Sequence, residues 1–215
     1  MKTKFLLPMA IIFFTATAAN AQINEGRYLL GGSVGYNHSK NQPSTTPESK
    51  TFYSNIQLGK VIKDNTVAGI IASYSSTQYD QANKFSQFST GVFYRKYKSL
   101  AKDFYFFGEG DLVYSHSKST QGILQPGSFF TKSTSNSGAI SFVPGISYSV
   151  CKRMQIELSM PNIASISYVS TKTETQDPSS NSISTQKGNN FSANANLNSN
   201  LLSNFGIGFK FFLGK

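Results

Sequence analysis

After residue 21 no run of this chain approaches the roughly 20 apolar residues that a membrane-spanning helix needs. Eight segments instead alternate apolar and polar residues with period two, which makes each a strand with one apolar and one polar face. In the first, Tyr28, Leu30, Gly32, Val34 and Tyr36 share a face, against Arg27, Gly31, Ser33, Gly35 and Asn37. The others span Thr51 to Ile62, Thr66 to Tyr79, Phe85 to Tyr97, Phe104 to Lys118, Gly138 to Val150, Met154 to Ser170 and Leu201 to Leu213. Helix formers are few, and Ser, Thr, Asn, Gly, Phe and Tyr dominate.

The connections alternate as well. Those near Lys63, from Lys98 to Asp103 and at Cys151 to Arg153 are short. Those after the first, fifth and seventh segments are long and polar, and the last, from Thr171 to about Ser199, reads as a low-complexity mobile loop. The connection from Asp80 to Lys84 is of intermediate length. Short turns at one end and long loops at the other are the plan of a transmembrane barrel. Strands can face lipid only when the sheet closes on itself. The expected fold is therefore all-β, an eight-stranded antiparallel up-and-down transmembrane β-barrel.

The N-terminus sets the compartment. Lys2 and Lys4 precede an apolar stretch from Phe5 to Ala19, and Ala19-Asn20-Ala21 is a small-residue cleavage site. Residues 1–21 read as a secretory signal peptide, cut before Gln22, with the barrel domain over residues 22–215. The remaining chain is 194 residues (215 less 21), enough for one domain. Its formal charge falls from +10 to +8 with the loss of the two lysines. One cysteine, Cys151, excludes an internal disulfide, and one cysteine with two histidines makes a zinc site of the usual ligands improbable. No cofactor or metal is expected. A basic chain suggests nucleic acid, but export removes that partner. The cations near the short turns (Lys60, Lys63, Lys96, Lys98, Lys102, Lys152, Arg153) suit anionic headgroups at that end of the barrel.

Tyrosine placement supports the barrel. Tyr36, Tyr74, Tyr114 and Tyr168 lie on apolar faces near the loop end, and Tyr28, Phe104, Tyr94, Tyr148 and Phe211 near the turn end. Two belts of amphipathic rings, one per interface, are what a bilayer selects. Apolar faces toward lipid turn the charges inward: Glu109, Asp111 and Glu157 with Arg27, Arg95 and Lys210, three acids and three bases. An eight-stranded barrel is filled by its own side chains, so these six are expected to form an interior ion-pair network rather than a catalytic or calcium site. His38 and His116 sit in similar contexts, Asn37-His38-Ser39-Lys40 and Ser115-His116-Ser117-Lys118, and read as rim residues. No acid is evident beside His116 to orient it for catalysis.

Several stretches resemble the small outer-membrane β-barrel proteins of the OmpX/OmpA-like type. They are Gly59 with Asp64-Asn65 and Gly69, Phe93-Tyr94-Arg95-Lys96-Tyr97, Phe106-Phe107-Gly108-Glu109, Pro144-Gly145-Ile146-Ser147-Tyr148 and Gly206-Ile207-Gly208-Phe209. The resemblance covers Gln22 to Lys215 and implies termini in the periplasm, long loops outside and a place in the outer membrane. It implies outer-membrane lipid, the assembly machinery and an extracellular ligand or surface as partners. One departure is the ending Phe211-Phe212-Leu213-Gly214-Lys215, where an aromatic terminus is usual in that group; no peptidoglycan-binding domain is expected after the barrel. The expected role is non-enzymatic: membrane integrity, adhesion or ligand contact through the loops. The alternatives are a narrow passive pore, a soluble exported lipocalin-like barrel and an outer-membrane lipid-modifying enzyme.

Overall fold

A computed structural model describes residues 23–39, 48–79, 83–122, 130–160, 163–176, 182–195 and 206–214. The expected signal peptide, residues 1–21, and the start of the eighth expected strand, Leu201 to Phe205, lie outside the described residues. Ten strands form one antiparallel sheet: β1 (Tyr28–Ser39), β2 (Ser49–Lys63), β3 (Thr66–Gln78), β4 (Lys84–Ser99), β5 (Phe104–Gly122), β6 (Phe130–Cys151), β7 (Met154–Ser159), β8 (Ala164–Gln176), β9 (Ile183–Ala195) and β10 (Gly206–Leu213). Neighbours in sequence pair from β1 to β6, and β10 returns to β1 through Tyr28↔Leu213 to Gly31↔Lys210. The sheet closes into a barrel of eight strand positions.

Ten strands fill eight positions because the last two are each interrupted. β6 pairs with β7 from Cys151 to Gly145 and with β8 from Phe142 to Phe130. Between the pairs Gly145↔Ser159 and Phe142↔Ala164, β6 advances three residues and the seventh position five, which inserts two. An even insertion keeps the side-chain phase, so Leu158 and Ile166 both face out. In the eighth position β9 pairs with β8 and β10 with β7.

The strands run further toward the loop end than their apolar alternation suggests. β5 continues to Gly122, β6 begins at Phe130, and β8 continues to Gln176. The tract Thr171 to about Ser199, expected as a mobile loop, instead contains the end of β8 and the whole of β9, which pairs with β8 through thirteen residues. Serine and threonine side chains link neighbouring strands in this region: Thr51 with Thr77, Ser115 with Ser89, Thr131 with Thr175, Ser133 with Thr173, Ser135 with Thr171, and Ser167 with Ser192. Cross-strand hydroxyl pairs stabilise a sheet with no aliphatic face. Among the described residues, β1 above Gly31 pairs only with β2, and β9 only with β8.

One outward row, Leu30–Leu58–Ile70–Val92–Leu112–Ile140–Ile166, crosses seven strand positions in register. The rings expected in two belts all lie on this outer face, and Phe104 stacks on Tyr148 with centroids 4.7 Å apart. Phe52, Phe88 and Phe191 join them toward the loop end. The buried apolar core is inside the barrel at the turn end: Leu29, Val61, Val67, Phe93, Tyr97, Tyr105, Phe107 and Phe212 among others. Inward-facing glycines make room for it. A Cβ on Gly69 would sit 2.6 Å from Phe93 Cε1, and one on Gly145 would overlap the Phe107 ring.

The turn between β2 and β3 holds Asn65 at φ 59°, a left-handed conformation that asparagine tolerates better than most residues. The Glu25 N–H donates to Asp64 Oδ1 at 3.0 Å, which fastens the N-terminal segment across this turn.

Candidate functional site

Above the aromatic plug lies a layer of charge. Arg95 on β4 faces Glu109 on β5 through the direct register pair Arg95↔Glu109, and its Nε donates to Glu109 Oε2 at 2.6 Å. Its Nη1 reaches across to Glu157 Oε1 on β7, also at 2.6 Å. The guanidinium lies over the Phe107 ring, 4.4 Å from its centroid. Lys210 Nζ on β10 stands 4.0 Å from Glu157 Oε2. These four charges, two of each sign, are nearly inaccessible; the Arg95, Glu109 and Glu157 side chains are at most 4% exposed. Close, hydrogen-bonded pairing offsets the large desolvation cost of such groups.

Two neutral residues complete the layer, and neither was among the expected network residues. Gln57 on β2 donates to Glu109 Oε1 at 3.2 Å and accepts from Lys210 Nζ through its carbonyl oxygen. The Tyr97 hydroxyl accepts from Arg95 Nη1 at 3.0 Å and donates to Glu157 at 3.1 Å. Gln57 bridges an acid and a base on opposite walls, so six residues on β2, β4, β5, β7 and β10 form one connected set. Gly31 leaves space for Lys210; a Cβ there would lie 2.5 Å from Lys210 Cδ. Below, Ser147 Oγ donates to Gln155 Oε1 at 2.8 Å, and Gln155 Nε2 donates to Ser149 Oγ at 3.0 Å.

The structure keeps two of the six expected network residues apart. Arg27 precedes the first sheet pair and lies below the plug, where Nη1 donates to the Lys152 carbonyl at 3.0 Å. Asp111 sits one inward position above Glu109 and makes no ion pair among the described residues. Its Oδ2 accepts from Ser141 Oγ at 3.4 Å, and its Oδ1 is buried without a partner.

Above the charge layer is a cavity of about 170 Å³ lined by Ser33, Asn55, Gln57, Lys210 and the two paired acids. Beyond it many described inward positions carry hydroxyls or amides, Ser75, Ser89, Ser115, Ser135, Thr171 and Ser192 among them. The interior is thus a polar cup toward the loops, closed below by ion pairs and rings. A larger hollow of about 750 Å³ lies outside the wall, between Phe209 and Phe211 on one side and Tyr74 and Phe88 on the other. It belongs to the apolar outer surface and not to the charge layer.

The histidines are both at the outer rim. His38 Nε2 lies 2.5 Å from Glu48 Oε1, and His116 Nδ1 lies 2.8 Å from Asn136 Oδ1. Ser117, next to His116, has inward parity and pairs with Gln87 and Ser135 in the ladder. The histidine ring and the neighbouring hydroxyl therefore lie on opposite faces of the wall. Among the described residues no cluster of three His, Cys, Asp or Glu side chains could hold a metal ion.

No protein-family model and no curated protein match this chain. Among solved structures, the crystal structure of Neisserial surface protein A aligns over 87% of this chain and 97% of its own, at 13% identity and a TM-score of 0.41.

Proposed function

We propose that the protein is a closed, non-conducting barrel of the outer membrane that acts through its loop end, in adhesion, ligand contact or membrane integrity. The observation that carries this reading is the pairing of an aliphatic outer wall with a filled interior. Isolated soluble proteins rarely expose contiguous apolar patches beyond a few hundred Å², whereas here Ile70, Val92, Leu112, Ile140 and Ile166 are all more than half exposed in one row. A bilayer is the solvent that such a wall fits.

The rivals fit less well. A soluble lipocalin-like barrel would turn its aliphatic faces inward to a ligand, and here they face out. A pore needs a continuous water path, and Phe107, Tyr97, Tyr105 and Phe212 fill the turn end beneath Arg95 and its acids. A lipid-modifying enzyme at the rim needs an activated hydroxyl beside a histidine and an acid. His38 has the acid, but the described hydrogen bonds bring no hydroxyl to it.

The first test is a gel of the detergent-extracted outer-membrane fraction, run with and without boiling. The reading expects the unheated chain to resist SDS and migrate differently from the boiled chain. Recovery in a soluble fraction without a shift would reject it. Planar bilayers loaded with the purified chain should show no steady conductance; a stable open level would reject the closed interior.

A further inference from the structure

The upper wall sorts its residues by charge. Above the outer aromatic row every described inward position is uncharged, while lysines occupy outward positions on six strands: Lys50, Lys84, Lys118, Lys132, Lys172 and Lys187. Four of them fall on adjacent strand positions. In one hydrogen-bonded row Lys118 on β5 is followed by Thr134, Lys172 and Lys187, and Lys132 stands two residues along β6 from Thr134. Glu174 is the single described acid in this patch, paired with Lys172 at 2.5 Å. Four lysines against one glutamate leave three positive charges uncompensated.

Two details separate this from an ordinary solvated face. First, Lys172 and Lys187 are direct cross-strand partners pointing the same way. Like charges so placed destabilise a sheet, and Glu174, on Lys172, offsets only one of the two. Second, their depth is regular. Tyr114, Gly138, Tyr168 and Phe191 form one outward row, and Lys118, Lys172 and Lys187 each lie four residues toward the loops from its three rings. At about 3.3 Å per residue the lysines are about 13 Å along tilted strands from rings that mark the interface. That is the level of headgroups, where a lysine stem lies along apolar surface and its ammonium reaches a phosphate.

Resting on the membrane reading above, we infer that the outer face of β5, β6, β8 and β9 is a binding patch for phosphorylated lipid headgroups of the loop-side leaflet, with Lys118, Lys172 and Lys187 as its principal contacts and Lys132 at its edge. Charge complementarity selects an anionic headgroup. The aromatic row beneath selects a lipid over a soluble anion, because its acyl chains continue down an apolar wall.

The test uses the full barrel in detergent micelles and native mass spectrometry, with bis-phosphorylated lipid A and the same lipid stripped of phosphate as probes. The bis-phosphorylated lipid should bind at least tenfold more tightly, and should weaken steeply as salt rises. Combining K118Q, K172Q and K187Q should abolish the preference, while K50Q with K84Q, on β2 and β4 outside the patch, leaves it intact. Equal binding of the stripped lipid, salt-independent binding, or equal loss in the β2–β4 variant would overturn the inference. Full displacement by an equal concentration of inorganic phosphate would also overturn it, in favour of a free-anion site. A second readout needs only one exchange. K187Q should raise or preserve the unfolding midpoint in phosphate-free detergent and lower it when the bis-phosphorylated lipid is present; no such reversal counts against the patch. Each sample is first run unheated on SDS gel. A missing shift for the unaltered chain would reject the membrane reading itself, whereas a normal shift without lipid preference rejects only the patch.

Discussion

Glu157 holds together groups from two other strands. Its carboxylate receives Arg95 and the Tyr97 hydroxyl and faces Lys210. Glu157→Ala leaves both bases with Glu109 as their only ionised partner in the layer. It should cost about 3 kcal/mol or more, read as a fall in the urea midpoint of the refolded barrel. Tyr97→Phe removes one hydroxyl bridge and keeps the ring in the plug, so about 1 kcal/mol is expected. Asp111→Asn should change the midpoint by less than either, because no base pairs with that carboxyl; a loss as large as that of Glu157→Ala would place Asp111 in the network after all. Strand parity made the inward direction of these charges legible in the sequence. Which of them meet was not legible, because contact depends on the register of strands far apart in the chain. Arg27 has the right parity but lies below the first sheet pair, and Gln57 looked like any polar residue opposite Ile56.

Apolar alternation reported the strands only where one face meets an apolar solvent. It located β2, β3 and the lower part of β5 well, since aliphatic residues there alternate with small or polar ones. It failed over Thr131 to Ser137 and Ile183 to Ala195, where both faces are polar and strand order is held by backbone pairing and hydroxyl contacts. Such wall has a testable weakness. β5 is paired with β6 over its whole length and with β4 from Tyr105 to Thr120, whereas β9 is paired with β8 alone among the described residues. Amide exchange in micelles should therefore be slowest in β5 and faster by orders of magnitude at alternate amides of β9. Equal protection of the two strands would mean that β9 has a partner on its second edge. At the turn between β2 and β3, Asn65→Val should cost about 1–2 kcal/mol for its left-handed backbone, and Asn65→Gly close to nothing; equal midpoints for the two variants would contradict the turn geometry.

At the scale of the whole molecule, composition and alternation are enough to specify a closed barrel with its aliphatic residues outside. They do not specify where the interior is blocked, because the block is built from single residues of many strands. The closure itself has a consequence in time. Among the described residues only Tyr28–Gly31 and Lys210–Leu213 join the first strand to β10, and Lys210 is also the residue that carries the charge layer onto β10. The pairing that seals the wall and the pairing that completes the interior therefore both wait for the most distant part of the chain. Contacts of such long sequence separation form late, so every earlier strand must be held with an open edge until β10 arrives. The barrel is a clasp whose tongue is made last, and a folding chain is most exposed to wrong partners just before it fastens.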